Sequence, residues 1–238
     1  MASARLLVTA FEPFGGESIN PSVRVLEALR AAGDPFESLI LPVVRERAAA
    51  RLVEALDGSA LDAWLGLGQA GGRGEVTLEA IARNRFVGPG EPAPRSRAPS
   101  RIAPVPTPDA YVCRWPVGAL ARALRSEQLP ARVSYTAGLY VCNEVLFTAE
   151  QHLRARGPAA PWAGFAHLPY LPEQLPGKPE GTPALALDVQ TRVIRQLMAR
   201  LTAARAQVTQ TQDQEAREQP QATQARPDEA RAREPGRR

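Results

Sequence analysis

The chain has 238 residues, enough for one substantial domain with its own hydrophobic core. Its formal charge of +4 comes from scattered arginines, with Lys178 the sole lysine, and no stretch interleaves aromatic with basic side chains, so a nucleic-acid partner is not expected. No segment reaches the ~18 uninterrupted apolar residues of a membrane span and no secretory signal pattern opens the chain, so the expected compartment is the cytoplasm, where two cysteines remain free thiols.

The opening ARLLVTAF reads as a buried strand, EPFGGESIN as a loop, and PSVRVLEALRAAG as a helix started by Asn20-Pro21 and closed by Gly33. FESLILPVV (36–44) is a second strand, RERAAARLVEALDG a second helix, and DAWLGLG (62–68) a third apolar strand ending in glycines. Strands alternating with helices argue an α/β domain, its sheet parallel or mixed and covered on both faces. EVTLEAIARNRF then alternates apolar and polar side chains as a strand or hairpin arm does, and the Pro-, Gly-, Arg- and Ser-rich residues 88–108 read as a long surface loop. Cys113 falls in an irregular stretch, DAYVCRWPV. Regular structure resumes with the helix PVGALARALRSEQ, the strand ARVSYTAG, a helix from Cys142, a strand WAGFAHLP (162–169), and a last helix from Thr182.

After about Ala206 the composition breaks: one branched aliphatic residue, Val208, and no aromatic remain, so the segment buries too little to offset its ordering entropy. The expected organisation is one domain over 1–205 and a disordered polar tail over 206–238.

Gly66-Leu67-Gly68-Gln69-Ala70-Gly71 satisfies the GxGxxG dinucleotide fingerprint, but Gly72, Arg73 and Gly74 prolong the turn where a helix start should meet a pyrophosphate. No phosphate-binding GxxxxGK[ST] follows, and two histidines with two separated cysteines give no metal-ligand spacing. No cofactor and no metal are therefore expected.

The informative residue is Cys142, where the apolar VSYTAGLYV hands over to the helix-patterned NEVLFTAEQHL. A helix start favours an anion and can lower a thiol pKa from about 8.5 to ~3.5–7.5, which makes a nucleophile. His152 lies ten residues further along the same helix, roughly 15 Å away at 1.5 Å per residue, too far to serve as its base. His167 ends the next strand, and functional side chains of parallel sheets gather beyond the carboxyl ends, so Cys142 and His167 are expected on one edge. Cys113 reads as a buried bystander.

Four segments, VTAFEPFGGESINPS, GLGQAGGRGEVTLEAIARN, VSYTAGLYVCN and GFAHLPYLPEQ, resemble in order and spacing the pyroglutamyl peptidase I family of cysteine peptidases, over about residues 5 to 200. The resemblance implies a three-layer α/β/α sandwich with a mixed twisted sheet. It also implies cofactor-free removal of N-terminal 5-oxoproline (pyroglutamate) from peptides, by a soluble homo-oligomer, dimer or tetramer. Carried over by position, it makes Cys142 the nucleophile, His167 the base and Glu79 the carboxylate that orients it. Phe11, Phe14, Gln69 and Val141 become the walls of the ring pocket. The chain departs from the family at Leu78, where a proline usually precedes the glutamate, and at Pro89, where the family carries an arginine thought to assist the oxyanion. Arg83, Arg85 and Arg95 flank that position. A cysteine amidase or thioesterase on another small acyl group, and a non-catalytic small-ligand binding protein, are the alternatives on the same residues.

Overall fold

The computed structural model describes residues 5–88 and 99–218. Its main sheet has six strands: β1 (Leu6–Phe11), β2 (Glu37–Leu41), β3 (Ala63–Gln69), β4 (Val76–Glu79), β7 (Ala131–Ser134) and β8 (Trp162–Leu168), in the order β2-β1-β3-β8-β4-β7. β1, β3 and β8 run parallel side by side and are buried almost throughout, as strands covered on both faces must be. β4 pairs with β8 in the antiparallel sense and with β7 in the parallel sense, so the sheet is mixed.

Helices α2 (Arg47–Gly58) and α4 (Val141–Ala155) pack together, while α5 (Leu187–Glu218) packs on α1 (Pro21–Ala31) and α3 (Val117–Ser126), which gives the expected three layers. The first helix begins where the sequence placed it: Asn20 Oδ1 accepts the Ser22 N–H at 3.0 Å, Pro21 follows as the first helical residue, and Gly33 turns the chain out at φ +78°.

Three details differ from the sequence reading. The alternating segment 75–86 divides: β4 stays in the main sheet, whereas β5 (Ile81–Arg83) leaves it and pairs with β6 (Ala110–Val112). A three-residue strand carries too little periodicity to be read in advance, so Cys113 follows a strand rather than lying in irregular chain. The ends of the long loop are pinned by Asn84, whose Oδ1 accepts Ile102 N–H (2.9 Å) and Ala103 N–H (2.8 Å) while its Nδ2 donates to Ala103 O and Pro108 O. Residues 89–98 of that loop lie outside the described region.

Second, β7 runs opposite to β8, so Cys142 and His167 do not meet at the carboxyl ends of parallel strands. Residues 135–140, with Gly138 at φ +77°, instead carry the chain from β7 into α4. Third, α5 continues to Glu218, past the composition break at 206. Gln, Ala, Arg and Glu are good helix formers, and extending a helix already nucleated by packed residues avoids the nucleation cost. The rest of the expected tail, 219–238, lies outside the described residues.

Candidate active site

His167 sits one residue from the end of β8 and is almost fully buried. Its Nδ1 lies 2.8 Å from Glu79 Oε1, and a carboxylate can only accept, so Nδ1 carries the proton and Nε2 keeps the lone pair of the neutral ring. Glu79, the last residue of β4, is fully buried; it reaches diagonally to His167, which is the register partner of Thr77. The same Oε1 accepts Arg73 Nη1 at 2.6 Å, and Arg73 also donates to Thr77 Oγ1 and, at 3.0 Å, to Thr136 O. Oε2 has no hydrogen-bond partner among the described residues; the neighbouring Ser134 hydroxyl donates to Thr136 O at 3.2 Å.

Cys142 is the second residue of α4 and half-buried. Gly68 and His167 are register partners on neighbouring strands, about 5 Å apart. A Cβ built on Gly68 would lie only 3.0 Å from Cys142 Sγ and 3.1 Å from the Phe165 ring. The sulfur therefore occupies the space a side chain at 68 would take, on the sheet face that also carries His167. Gly66 serves Phe165 in the same way, with 2.4 Å from its built Cβ to the ring. The GxGxxG pattern is thus packing: its first two glycines clear room for Phe165 and the thiol. Gly68→Ala is expected to push the thiol aside and lower kcat/KM about 10- to 100-fold with little loss of folded protein, measured by steady-state kinetics beside a thermal melt.

Cys142 and His167 line a cavity of about 400 Å³ with Phe14, Gln69, Arg73, Tyr140 and Tyr170, among others, a volume suited to a small organic group. Two of the expected wall residues are not on its lining. Phe11 is buried at the end of β1 with its ring centroid 6.3 Å from that of Phe165, and Val141 is buried as the first residue of α4. Phe11 stands two residues past the Thr9–Gly66 pair, hence level with Gly68 and His167 on the face that also carries Phe165, whose ring packs on His167 at 4.9 Å.

The family model described as pyroglutamyl peptidase matches residues 4–206. The chain belongs to the pyroglutamyl peptidase family. The pyrrolidone-carboxylate peptidase of Levilactobacillus brevis is 37% identical over 212 residues, covering 85% of this chain and 99% of its own. That of Coprothermobacter proteolyticus is 38% identical over 197 residues, 78% and 91% of the two chains. Among solved structures, pyroglutamyl peptidase I of Bacillus amyloliquefaciens superposes with a TM-score of 0.75 at 31% identity, covering 84% of this chain and 97% of its own. The pyrrolidone carboxyl peptidase of Fervidobacterium islandicum gives 0.73 at 38% identity, with 82% and 96% covered.

In this member of the pyroglutamyl peptidase family burial works against the helix start, and the sequence left open which of the two prevails at the thiol. Burial, and after it the Glu79 charge, push the Cys142 thiol up to about 12, so the helix start does not yield a resting thiolate. Burial also holds the His167 pKa below 6.5, although Glu79 pulls the other way. For Glu79, burial opposes ionisation but is outweighed by the His167 hydrogen bond and charge, with the Arg73 hydrogen bond adding to them, and its pKa is lowered. The resting trio is a neutral thiol, a neutral imidazole and a carboxylate.

The other candidates fall away from the cavity. Cys113 is buried, and burial followed by the Glu150 charge pushes its thiol further up still. His152 pairs with Asp57 of α2 at 2.8 Å on the surface. Of the arginines flanking Pro89, the Arg83 side chain is exposed, Arg85 pairs with Asp109, and Arg95 lies outside the described residues. The guanidinium that does face the cavity is Arg73, which sequence reasoning passed over. It stands in the quoted segment GLGQAGGRGE, six residues before the glutamate, but only the turn after β3 shows that it folds back onto Glu79. Tyr140 and Tyr170 were missed for the same reason.

Proposed function

We propose that the protein hydrolyses the bond after an N-terminal pyroglutamyl residue of a peptide through an acyl-enzyme on Cys142. The observation that carries this reading is that the thiol, lying over Gly68, shares one cavity with an imidazole whose Nδ1 is held by a buried carboxylate. With the thiol protonated at rest, His167 Nε2 takes its proton as sulfur attacks the pyroglutamyl carbonyl, and returns it to the leaving amine. Water, deprotonated by the same nitrogen, then cleaves the thioester. Glu79 fixes the tautomer and stabilises the imidazolium formed during attack. The N–H groups of the first turn of α4, which have no intrahelical acceptors, are the donors we assign to the oxyanion. Phe14 and Gln69 supply an apolar wall and an amide for a small neutral ring with one N–H and one carbonyl.

The adduct itself is testable. Acid-quenching the enzyme during turnover of a pyroglutamyl amide should leave a pyroglutamyl mass increment on the Cys142 peptide and none on the Cys113 peptide; an unmodified Cys142 peptide under saturating substrate would count against the acyl-enzyme.

The pH dependence follows from the shifts above. His167 works as the neutral base, and its pKa lies below 6.5, so the acid limb of kcat/KM should fall below pH 6.5. The thiol sits near 12, so inactivation by iodoacetamide should keep accelerating above pH 9 rather than level off. A plateau near pH 7 would show a resting thiolate instead.

We read the natural partner as a peptide bearing N-terminal pyroglutamate, the compartment as the cytoplasm, and the assembly as a homodimer or homotetramer. No helix among the described residues is long and apolar enough to cross a membrane. Val112, in the β5–β6 ribbon, and Val105, in the loop that joins its two strands, are strongly exposed for apolar residues. Sedimentation of the full chain decides the assembly.

A further inference from the structure

Gln174 lies outside the cavity lining, in the short 3-10 turn Pro172–Gln174 that follows β8, yet it is buried and ties together three backbone elements. Its side chain can be oriented in only one way. Leu171 N–H points at it from 3.0 Å, and a backbone N–H is always a donor, so the facing atom is the amide oxygen, Oε1. Nε2 therefore points the other way, where it donates to Gln69 Oε1 at 2.8 Å, with Glu17 Oε2 at 3.2 Å and Ile19 O at 3.4 Å as further acceptors. The glutamate is itself held by Lys178 at 2.5 Å, and Lys178 lies over the Tyr170 ring at 4.2 Å.

The consequence passes to Gln69. A free glutamine in a pocket can turn either its oxygen or its NH2 towards a ligand, and so can greet a carbonyl or an N–H equally well. Here the Gln69 oxygen is committed to Gln174, and its Nε2, which has no hydrogen-bond partner among the described residues, is the half of the amide left for the cavity.

We propose that Gln174 is a positioning residue that sets ring specificity: by holding Gln69 Oε1, it makes Gln69 Nε2 a fixed donor to the ring carbonyl of the 5-oxoproline. The inference rests on the peptidase reading above, since it needs that ring in the cavity. It also explains discrimination. A prolyl ring of the same size has no carbonyl to accept, so the oriented donor is left unpaired in a mostly buried site, and an unpaired donor in such a site costs affinity. Had the Gln69 amide been free to turn, the penalty for the wrong ring would be smaller.

The test uses the full chain and two variants. Gln174→Glu keeps the acceptor for Leu171 N–H but removes the donor, and Gln174→Leu removes both. For each, kcat and KM are measured on pyroglutamyl p-nitroanilide, with inhibition constants for 2-pyrrolidone, which has the ring carbonyl, and for N-methylcyclopentanecarboxamide, whose five-membered ring has no polar atom. The expected result is a KM and a 2-pyrrolidone constant raised about tenfold, kcat within about threefold, and an unchanged constant for the cyclopentane probe. Should Gln174→Leu fail to fold, Gln174→Glu alone carries the test. Equal weakening of both probes would assign Gln174 a merely structural role and overturn the proposal, as would an unchanged KM in both variants. A wild-type enzyme inactive on the pyroglutamyl compound would overturn the peptidase reading and this inference with it, whereas activity with unaltered variants overturns the inference alone.

Discussion

Replacing Cys142 with alanine is expected to lower kcat/KM on a pyroglutamyl amide by at least ~10⁴-fold, while Cys113→Ala stays within about twofold. The contrast follows from placement rather than burial, since both thiols have raised pKa values. Cys142 Sγ faces a cavity shared with His167, whereas Cys113 is packed in the core and its backbone N–H is spent on Ala80 O at 2.9 Å. Without the Cys142 sulfur there is nothing to form the acyl-enzyme, and only binding and the oxyanion donors remain. Without the Cys113 sulfur a small buried group is lost, a change of about 1 kcal/mol in stability that thermal unfolding will detect and kinetics will not. Steady-state kinetics on both variants, with folding checked by circular dichroism, decides the matter; equal losses would remove Cys142 from its role.

The second large effect separates two jobs of Glu79. Glu79→Gln keeps an oxygen where Arg73 and His167 Nδ1 both donate, so the imidazole tautomer should survive while the negative charge is lost. The imidazolium formed during attack then lacks its counter-ion, and kcat should fall by ~10²–10³. Because the Glu79 charge raises the His167 pKa, removing it should move the acid limb of kcat/KM to still lower pH. Arg73→Met should move that limb the other way, since the guanidinium lowers the same pKa. Glu79→Ala removes orientation as well and takes the counter-ion from Arg73, which keeps only Thr77 and Thr136 as acceptors, so its loss should reach ~10⁴-fold, with destabilisation of about 1–3 kcal/mol. An acid limb that stays fixed across all three variants would show that Glu79 is a structural anchor with no hold on the base.

The sequence was most legible where one physical signal dominated. The apolar runs of β1, β3 and β8 and the Asn20-Pro21 helix start appear where their patterns put them, because buried parallel strands and capped helices leave strong local marks. Cys142 and His167 could be paired by elimination, since so few thiols and imidazoles exist in the chain. The direction of β7 could not be read, because period-two alternation is the same whichever way a strand runs, and the shared edge was inferred from a parallel arrangement that β7 does not adopt. Arg73 was hidden by its glycine-rich neighbourhood, which suggested only a turn. The resemblance sets Phe11 on the cavity wall; the structure buries it at the end of β1 with its ring 6.3 Å from that of Phe165, a contact across β3 that no local pattern records.

The central claim, a thiol peptidase specific for the pyroglutamyl ring, is tested most directly by offering the reduced, folded protein three chromogenic amides: pyroglutamyl, prolyl and glutamyl. The expected result is release from the pyroglutamyl compound, abolished by Cys142→Ala, and at least ~100-fold less from the other two, which lack a neutral ring carbonyl for Gln69. No release from the pyroglutamyl amide, or comparable release from the prolyl amide, would contradict it.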